Sequence, residues 1–328
     1  MNRSISADFI KSFSIFGVVF IHGSGMLGYP SAFNDYIINF FRFCVPCFII
    51  LWAYFFEISY NKKDIKERRK YIRVRFMHLF IVYFLWSLIY FFWLVNWDDI
   101  TLKKLITMHF SGYGFAGQYF FIILFQLILL YPFLRYMYSQ KNLRNILLLI
   151  IFGLYIIYGY FESFVPEFFL KIGDRPFVFW LPYVYMGIFL SKNQNLKIPI
   201  LFSFTVLLIP IEFFVIKKLN LSHSVYSTPI VLISSLLSCA SLLQNRIEIK
   251  NEYILKFIGY IGKNTMTIFV ANPLVILLFS LFITKNMSDN VNVLEKIILP
   301  FISSFIVLFF CVLIEKIIKK IRLNGVLN

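Results

Sequence analysis

Six side chains that a lipid bilayer should reject stand within or beside long apolar runs: Asp8, Lys11, His22, Arg42, Glu212 and Asn272. Polar and ionisable groups at such depths are expensive, and by default they mark function. The first three share one segment, ADFIKSFSIFGVVFIHGSG. If that segment is a helix, Asp8 lies one turn from Lys11 and can pair with it. Lys11 and His22 are eleven residues apart. At about 100° per residue both fall on one face, about 16 Å apart along the axis. Histidine is also the side chain whose charge changes near neutral pH. Arg42 enters the second apolar run by about two turns, so its depth matches that of His22 and the two could face each other in a polar cavity. Each has a plainer reading. Lys11 can snorkel to the headgroups, His22 can be a hydrogen-bonded packing residue, and Glu212 is close enough to an interface to be solvated or paired with Lys217 or Lys218. His109 and His223 fall in connectors, where solvation is expected, and His78 follows a basic connector at an interface.

The elements that must position these groups follow from composition. Of 328 residues 60% are hydrophobic and 15% charged, with 42 Phe and 20 Tyr, against about 45–50% apolar and about a quarter charged in a soluble chain. No soluble core could hold that much apolar surface. Runs near or above 18 residues span a bilayer as helices, so the fold class is all-α, a polytopic integral membrane protein. Ten spans are expected, at about 7–27, 35–57, 78–95, 118–138, 145–161, 176–191, 198–216, 227–243, 264–283 and 294–315. No repeat, low-complexity segment or separate soluble domain interrupts residues 1–328, which read as one transmembrane domain. Asp8 and Lys11 break the start of the first run and no small-residue cleavage site follows, so it is read as a span rather than a secretory signal. Cys44, Cys47, Cys239 and Cys311 all sit in apolar runs; the Cys44–Cys47 spacing has no polar ligands beside it, and the four read as buried small hydrophobes.

The net charge of +16 would point to nucleic acid in a soluble chain. Here the distribution matters more. With the N-terminus inside, 22 of the 32 basic residues fall in the N-terminal segment, alternate connectors and C-terminal segment assigned to the cytoplasm, 8 fall outside, and Lys11 and Arg42 lie within helices. That bias places both termini in the cytoplasm and calls for no nucleic-acid partner.

The stretch from Asp8 to His22 resembles the start of the membrane-bound acyltransferase-3 family of cell-envelope glycan acyltransferases, which opens with an Asp, two residues, an Arg, ten residues and a His. Lys11 stands where Arg is usual. FFRFCVPCFIILWAYFF is similar to the family's Arg-x-x-Val-Pro-x-Phe stretch through Arg42, Val45, Pro46 and Phe48, with Trp52 and Ala53 in place of the usual Ser-Gly. YFLWSLIYFF, WLPYVYMGIFLSK and IGKNTMTIFVANPLV resemble further family helices in the expected order, with Asn272 where many members carry His. GQYFFIILFQLILLYPFL resembles the branch containing the intercellular adhesion protein C type of exopolysaccharide modifier.

The resemblance implies transfer of an acyl group, acetyl or succinyl, from cytoplasmic acyl-CoA to a hydroxyl of a cell-surface polysaccharide or polyprenyl-linked sugar at the plasma membrane. His22 would be the general base, with Lys11 and Asp8 as further catalytic residues. Lys11 and Arg42 would bind phosphate or carbonyl oxygens, and Arg42, Asn272, Tyr113 and Gln118 would contact substrate. No bound cofactor is implied; acyl-CoA is the donor substrate. The 62–75 connector would attract CoA phosphates, although membrane lipids explain its charge equally well. Tyr113 and Phe115, in the aromatic and Gly-rich 96–117 connector, could stack on sugar rings or anchor at the interface. An exporter or flippase for the same glycan would use the same intramembrane charges to line a path, but no internal repeat or pair of broken helices supports it.

Overall fold

A computed structural model of the chain describes residues 4–26, 32–94, 101–112, 114–221, 226–245, 247–283 and 293–321. Among these residues every regular element is helical. In chain order the helices are α1 (Ile5–Gly23), α2 (Ala32–Phe40), α3 (Cys44–Asn61), α4 (Ile65–Leu94), α5 (Leu102–Ser111), α6 (Tyr119–Ser139), α7 (Lys141–Tyr160), α8 (Glu167–Ile172), α9 (Phe177–Lys192), α10 (Leu208–Lys218), α11 (Pro229–Gln244), α12 (Glu252–Lys263), α13 (Thr265–Ile283) and α14 (Val293–Lys320). The molecule is an all-α, multi-pass membrane protein.

The ten expected spans resolve differently. Among the described residues seven helical stretches are long and apolar enough to cross a bilayer: Ile5–Gly23, Phe33–Asn61, Ile65–Trp93, Tyr119–Ser139, Lys141–Tyr160, Ile200–Lys218 and Leu294–Lys320. The pair α12 and α13, bent by 78° at their junction, brings the number to eight if it forms one span. The other two expected spans correspond to α9 and α11, each 16 residues. At 1.5 Å per residue each reaches about 24 Å, short of a hydrocarbon core of about 30 Å. The basic connector before residue 78 is not a loop: its stretch from Lys66 to Arg75 continues α4 as regular helix.

The chain forms two compact units, interleaved in sequence. The first holds Met1–Val18, Ser31–Asp64 and Tyr131–Lys263, and the second Val19–Pro30, Ile65–Leu130 and Asn264–Asn328. In the first unit α3 lies along α9 at close range. A Cβ on Gly187 would stand 2.5 Å from the Ile50 carbonyl oxygen and 2.6 Å from the Ala53 side chain. Lipid tails are as apolar as leucine, so helices in membranes associate through such small-residue contacts rather than by hiding from water. α11, rich in serine, holds a long 3-10 stretch, Ile200–Leu207, by donating from Ser234 to the Thr205 carbonyl (2.8 Å) and from Ser241 to the Pro199 carbonyl (2.9 Å). Runs of 3-10 beyond three or four residues are uncommon, and these ties give this one external support.

In the second unit α4, the first part of α6 and α13 pack through aromatic rings. Tyr83 meets Phe121 and Phe125, and Phe120 meets Phe269 at 5.2 Å. The end of α1 joins the same unit, with Phe20 4.9 Å from Phe301. All four cysteines are free and buried.

Gly187→Val is expected to destabilise the protein by about 1–3 kcal/mol through overpacking, read as a lower thermal midpoint in detergent. Gly153→Ala in α7, where an added Cβ meets nothing within 4 Å, should be neutral or stabilising by about 0.5–1 kcal/mol. Equal midpoints for the two variants would remove the close α3–α9 contact as the cause.

Candidate functional site

Asp8 and Lys11 occupy the first half of α1, which the first unit ties down by serine hydroxyls. Ser6 donates to the Asn245 carbonyl (2.7 Å) and accepts from the Ile247 amide (3.3 Å), while Ser12 donates to the Ile258 carbonyl (2.7 Å). α12 therefore runs beside α1, close enough that a Cβ on Gly262 would stand 2.9 Å from the Asp8 carbonyl oxygen. This closeness leaves Asp8 only 8% exposed. It also lines a cavity of about 410 Å³ together with Ile5, Lys256, Gly259, Tyr260 and Lys263. A second cavity, about 540 Å³, shares Ile5 and carries Glu248 and Lys250. Lys11 turns toward α3, where its ammonium lies 4.9 Å from the centre of the Phe55 ring, a cation–π contact.

His22 lies in the last turn of the same continuous helix, in the second unit, and is half-buried. The following residue, Gly23, lets α1 approach α14 and α13: a Cβ there would be 3.3 Å from Val307 and 3.7 Å from Ile276.

Asn272 is 1% exposed, and its place follows from Pro273. A proline at 273 has no N–H for the carbonyl of residue 269. Asn272 supplies the donor instead, its Nδ2 2.6 Å from the Phe269 oxygen. One step on, the ladder is opened again by a side chain from α4. The Tyr90 hydroxyl donates to the Val270 carbonyl (2.6 Å) and accepts from the Leu274 amide (2.8 Å), so it stands in the gap of a normal i to i+4 bond. A side chain inserted into the ladder is an identifiable cause of helix bending.

Arg42 belongs to the first unit and lies in a 3-10 turn, Phe41–Phe43, between α2 and α3. Pro46 cannot donate to the Arg42 carbonyl, and just before it the chain makes the shorter bond from Cys44 N to Phe41 O. The guanidinium lies 5.3 Å from the centre of the Tyr226 ring and donates from Nη1 to the Tyr226 hydroxyl at 3.3 Å. Tyr226 packs on Trp180, whose indole N–H donates to the Asp174 carbonyl at 2.6 Å. The Asp174 carboxylate in turn accepts from Ser227.

Gln118 is fully buried and its amide is engaged on both sides. Oε1 accepts from the Gly114 amide (2.5 Å), and Nε2 faces Ser87 Oγ (3.0 Å) and His109 Nδ1 (3.1 Å). Because a backbone amide can only donate, Oε1 is fixed toward Gly114, and His109 Nδ1 must accept from Nε2. His109 is thus a partly buried acceptor rather than a solvated side chain, and burial lowers its pKa from the usual histidine value. Phe115, instead of facing outward, is buried and stacks on Tyr90 at 4.4 Å. Tyr113 lies outside the described residues.

A family model described as an acyltransferase domain matches residues 4–316. The chain belongs to the acyltransferase-3 family. No curated protein and no solved structure matches it. The match runs from the start of α1 into α14, and so through segments of both units. This membrane acyltransferase also holds buried carboxylates that sequence reasoning passed over or misjudged. Glu57, fully buried in α3, accepts from Tyr131 (2.6 Å), from Arg135 Nε (3.1 Å) and from Asn61 (2.9 Å). The Tyr131–Arg135 spacing on one helix face was the available signal. Glu212 is neither solvated nor paired with the lysines that follow it. It is buried, accepts from the Tyr160 hydroxyl (2.5 Å) and caps the start of α11 by accepting from the Ile230 amide (3.1 Å), a favourable place for negative charge. Glu315, buried in α14, pairs with Lys319, which also donates to Asn264 Oδ1 at 3.0 Å.

Asn272→Ala should cost about 1–3 kcal/mol by orphaning the Phe269 carbonyl, and Pro273→Ala should reduce that cost by restoring the N–H at position 273. Thermal unfolding of the four members of this double-mutant cycle measures the coupling; a cost for Asn272→Ala unaffected by Pro273→Ala would exclude the capping role.

His109 yields a pH dependence. Its folded pKa lies below the unfolded value, so the unfolded chain binds more protons between the two. Stability is therefore full above the unfolded value of about 6.5 and falls as pH drops through it toward the folded pKa. Hydrogen-exchange protection of the Gly114 amide should decline over that window in the wild type and stay level in His109→Asn, whose amide does not titrate. Protection independent of pH in the wild type would contradict Nδ1 as an acceptor.

Proposed function

We propose that this membrane acyltransferase moves an acetyl or succinyl group from acyl-CoA on the cytoplasmic side of the plasma membrane to a sugar hydroxyl of a cell-surface polysaccharide or its polyprenyl-linked precursor. The observation that carries the reading is α1, one helix bearing Asp8, Lys11 and His22, in a chain matched by the acyltransferase domain over residues 4–316. The excess of basic residues in alternate connectors supports cytoplasmic termini, and with them a donor entering near the foot of α1. The cavity beside Asp8 also carries Lys263, a cation for an anionic donor. Resemblance of the Gly117–Leu134 stretch to exopolysaccharide modifiers supports the acceptor class.

In the proposed reaction His22 takes the proton of the sugar hydroxyl. The oxygen adds to the thioester carbonyl, the carbon–sulfur bond breaks, and the proton passes to the departing thiolate, leaving an ester and free CoA. Lys11 and Arg42 hold phosphate or carbonyl oxygens, and Asp8 orients the charge on Lys11. Asn272 Oδ1, buried and without a hydrogen-bond partner among the described residues, supplies an acceptor for a sugar hydroxyl. Tyr113 stacks on the sugar. Gln118, its amide engaged within the protein, serves the acceptor by positioning the 112–118 segment.

Protein reconstituted with labelled acetyl-CoA or succinyl-CoA and the glycan should form ester. His22→Ala should lower the rate by about 10²–10⁴-fold, the range for loss of a general base, with the thermal midpoint unchanged. Lys11→Arg should retain transfer and Lys11→Ala should lose it. Undiminished transfer by His22→Ala would remove the proposed base.

A further inference from the structure

The first unit contains a cavity that none of the preceding roles uses. It measures about 450 Å³ and lies among the end of α6, α7, α9 and α11, with Tyr138, Arg144, Leu148, Tyr185 and Phe189 among its walls. Two cations converge on one of those walls. The Arg144 guanidinium lies 5.0 Å, and the Lys192 ammonium 4.9 Å, from the centre of the Tyr138 ring, so the charges are no more than about 10 Å apart. Like charges at that range repel. Glu57, the carboxylate that reaches α6 one turn earlier, is already engaged by Arg135, Tyr131 and Asn61. The site has the electrostatics of one that holds an anion.

A second, independent observation comes from Tyr185. The residue is 3% exposed, it lines this cavity, and its hydroxyl has no hydrogen-bond partner among the described residues. A buried hydroxyl left unsatisfied is costly, and a ligand oxygen in the cavity would relieve it. Apart from Asn193 the remaining walls are apolar, and the outward face of α7 beside them carries exposed Ile146, Leu149 and Ile150, suited to lipid. The connectors that flank the site fall on the basic side of the chain, where the membrane leaflet is anionic. Basic pockets between membrane helices on that side are the setting in which acidic lipid headgroups bind.

We propose that this cavity is a binding site for an anionic phospholipid, with its phosphate at Arg144 and Lys192, an ester carbonyl on the Tyr185 hydroxyl, and the first chain methylenes against Leu148 and Phe189. The site is separate from the acyl-transfer residues and stands whether or not His22 is the base.

The full-length protein in detergent is titrated with phosphatidylglycerol and, in parallel, with phosphatidylcholine of the same chains, following the thermal midpoint and the lipid retained in native mass spectra. Phosphatidylglycerol should bind and raise the midpoint. Arg144→Gln combined with Lys192→Gln should weaken that binding about tenfold or more, as expected for lost charge-assisted contacts. Tyr185→Phe should weaken it by a smaller factor with the midpoint in phosphatidylcholine unchanged. Should the double variant fail to fold, competition on the wild type decides: phosphatidylglycerol retained in excess inorganic phosphate or CoA supports the lipid site. Equal binding of the two lipids, or displacement by phosphate or CoA alone, overturns it.

Discussion

Hydrocarbon offers no hydrogen bonds, so a carbonyl that a proline orphans within a membrane helix has to find its donor inside the protein. Much of the local architecture is organised by that demand. At Pro46 the helical run is preceded by a 3-10 turn that sets Arg42 between α2 and α3. At Pro273 the answer is a side chain, Asn272, and the next bond is completed by Tyr90 from α4. At the start of α11, where Pro229 and Ile230 open the helix, Glu212 of α10 accepts the free amide. The repairs at Pro273 and at the start of α11 keep the backbone satisfied from within the protein.

Buried charge separates into two kinds. Glu57 has its oxygens filled by a tyrosine, an arginine and an asparagine, and a carboxylate so occupied is an organiser of α3 against α6. Breaking such a buried pair by removing one partner is far more costly than the pair is stabilising. Lys11 and Arg42, both half-buried, are held differently, each against an aromatic ring.

The class of the fold was legible in composition, because 60% hydrophobic residues in 328 leave no soluble alternative. The span count was less so. Hydropathy sees α9 and α11 as spans but does not register that each ends at 16 residues. It cannot see that α12, an amphipathic stretch read as connector, meets α13 at 78°. The candidate residues of α1 were found because three charged groups on one short helix stand out in any apolar chain. Glu212 was misjudged because its partners, Tyr160 and the Ile230 amide, are brought to it by folding, and nearby Lys217 and Lys218 offered a simpler account. His109 was misplaced for a similar reason, since the Gln118 amide that it faces is brought to it only by folding. The role of Asn272, by contrast, was within reach of the sequence: an asparagine immediately before a proline in an apolar helix is placed to mend the gap.

The Tyr90 hydroxyl stands where α13 would otherwise carry one of its own hydrogen bonds, and it is reached from a different helix. For heredity this gives the residue an unusual standing. A backbone atom cannot be changed by mutation, but this link in the α13 ladder can, through a single codon in α4. In this protein the continuity of one helix is encoded in another.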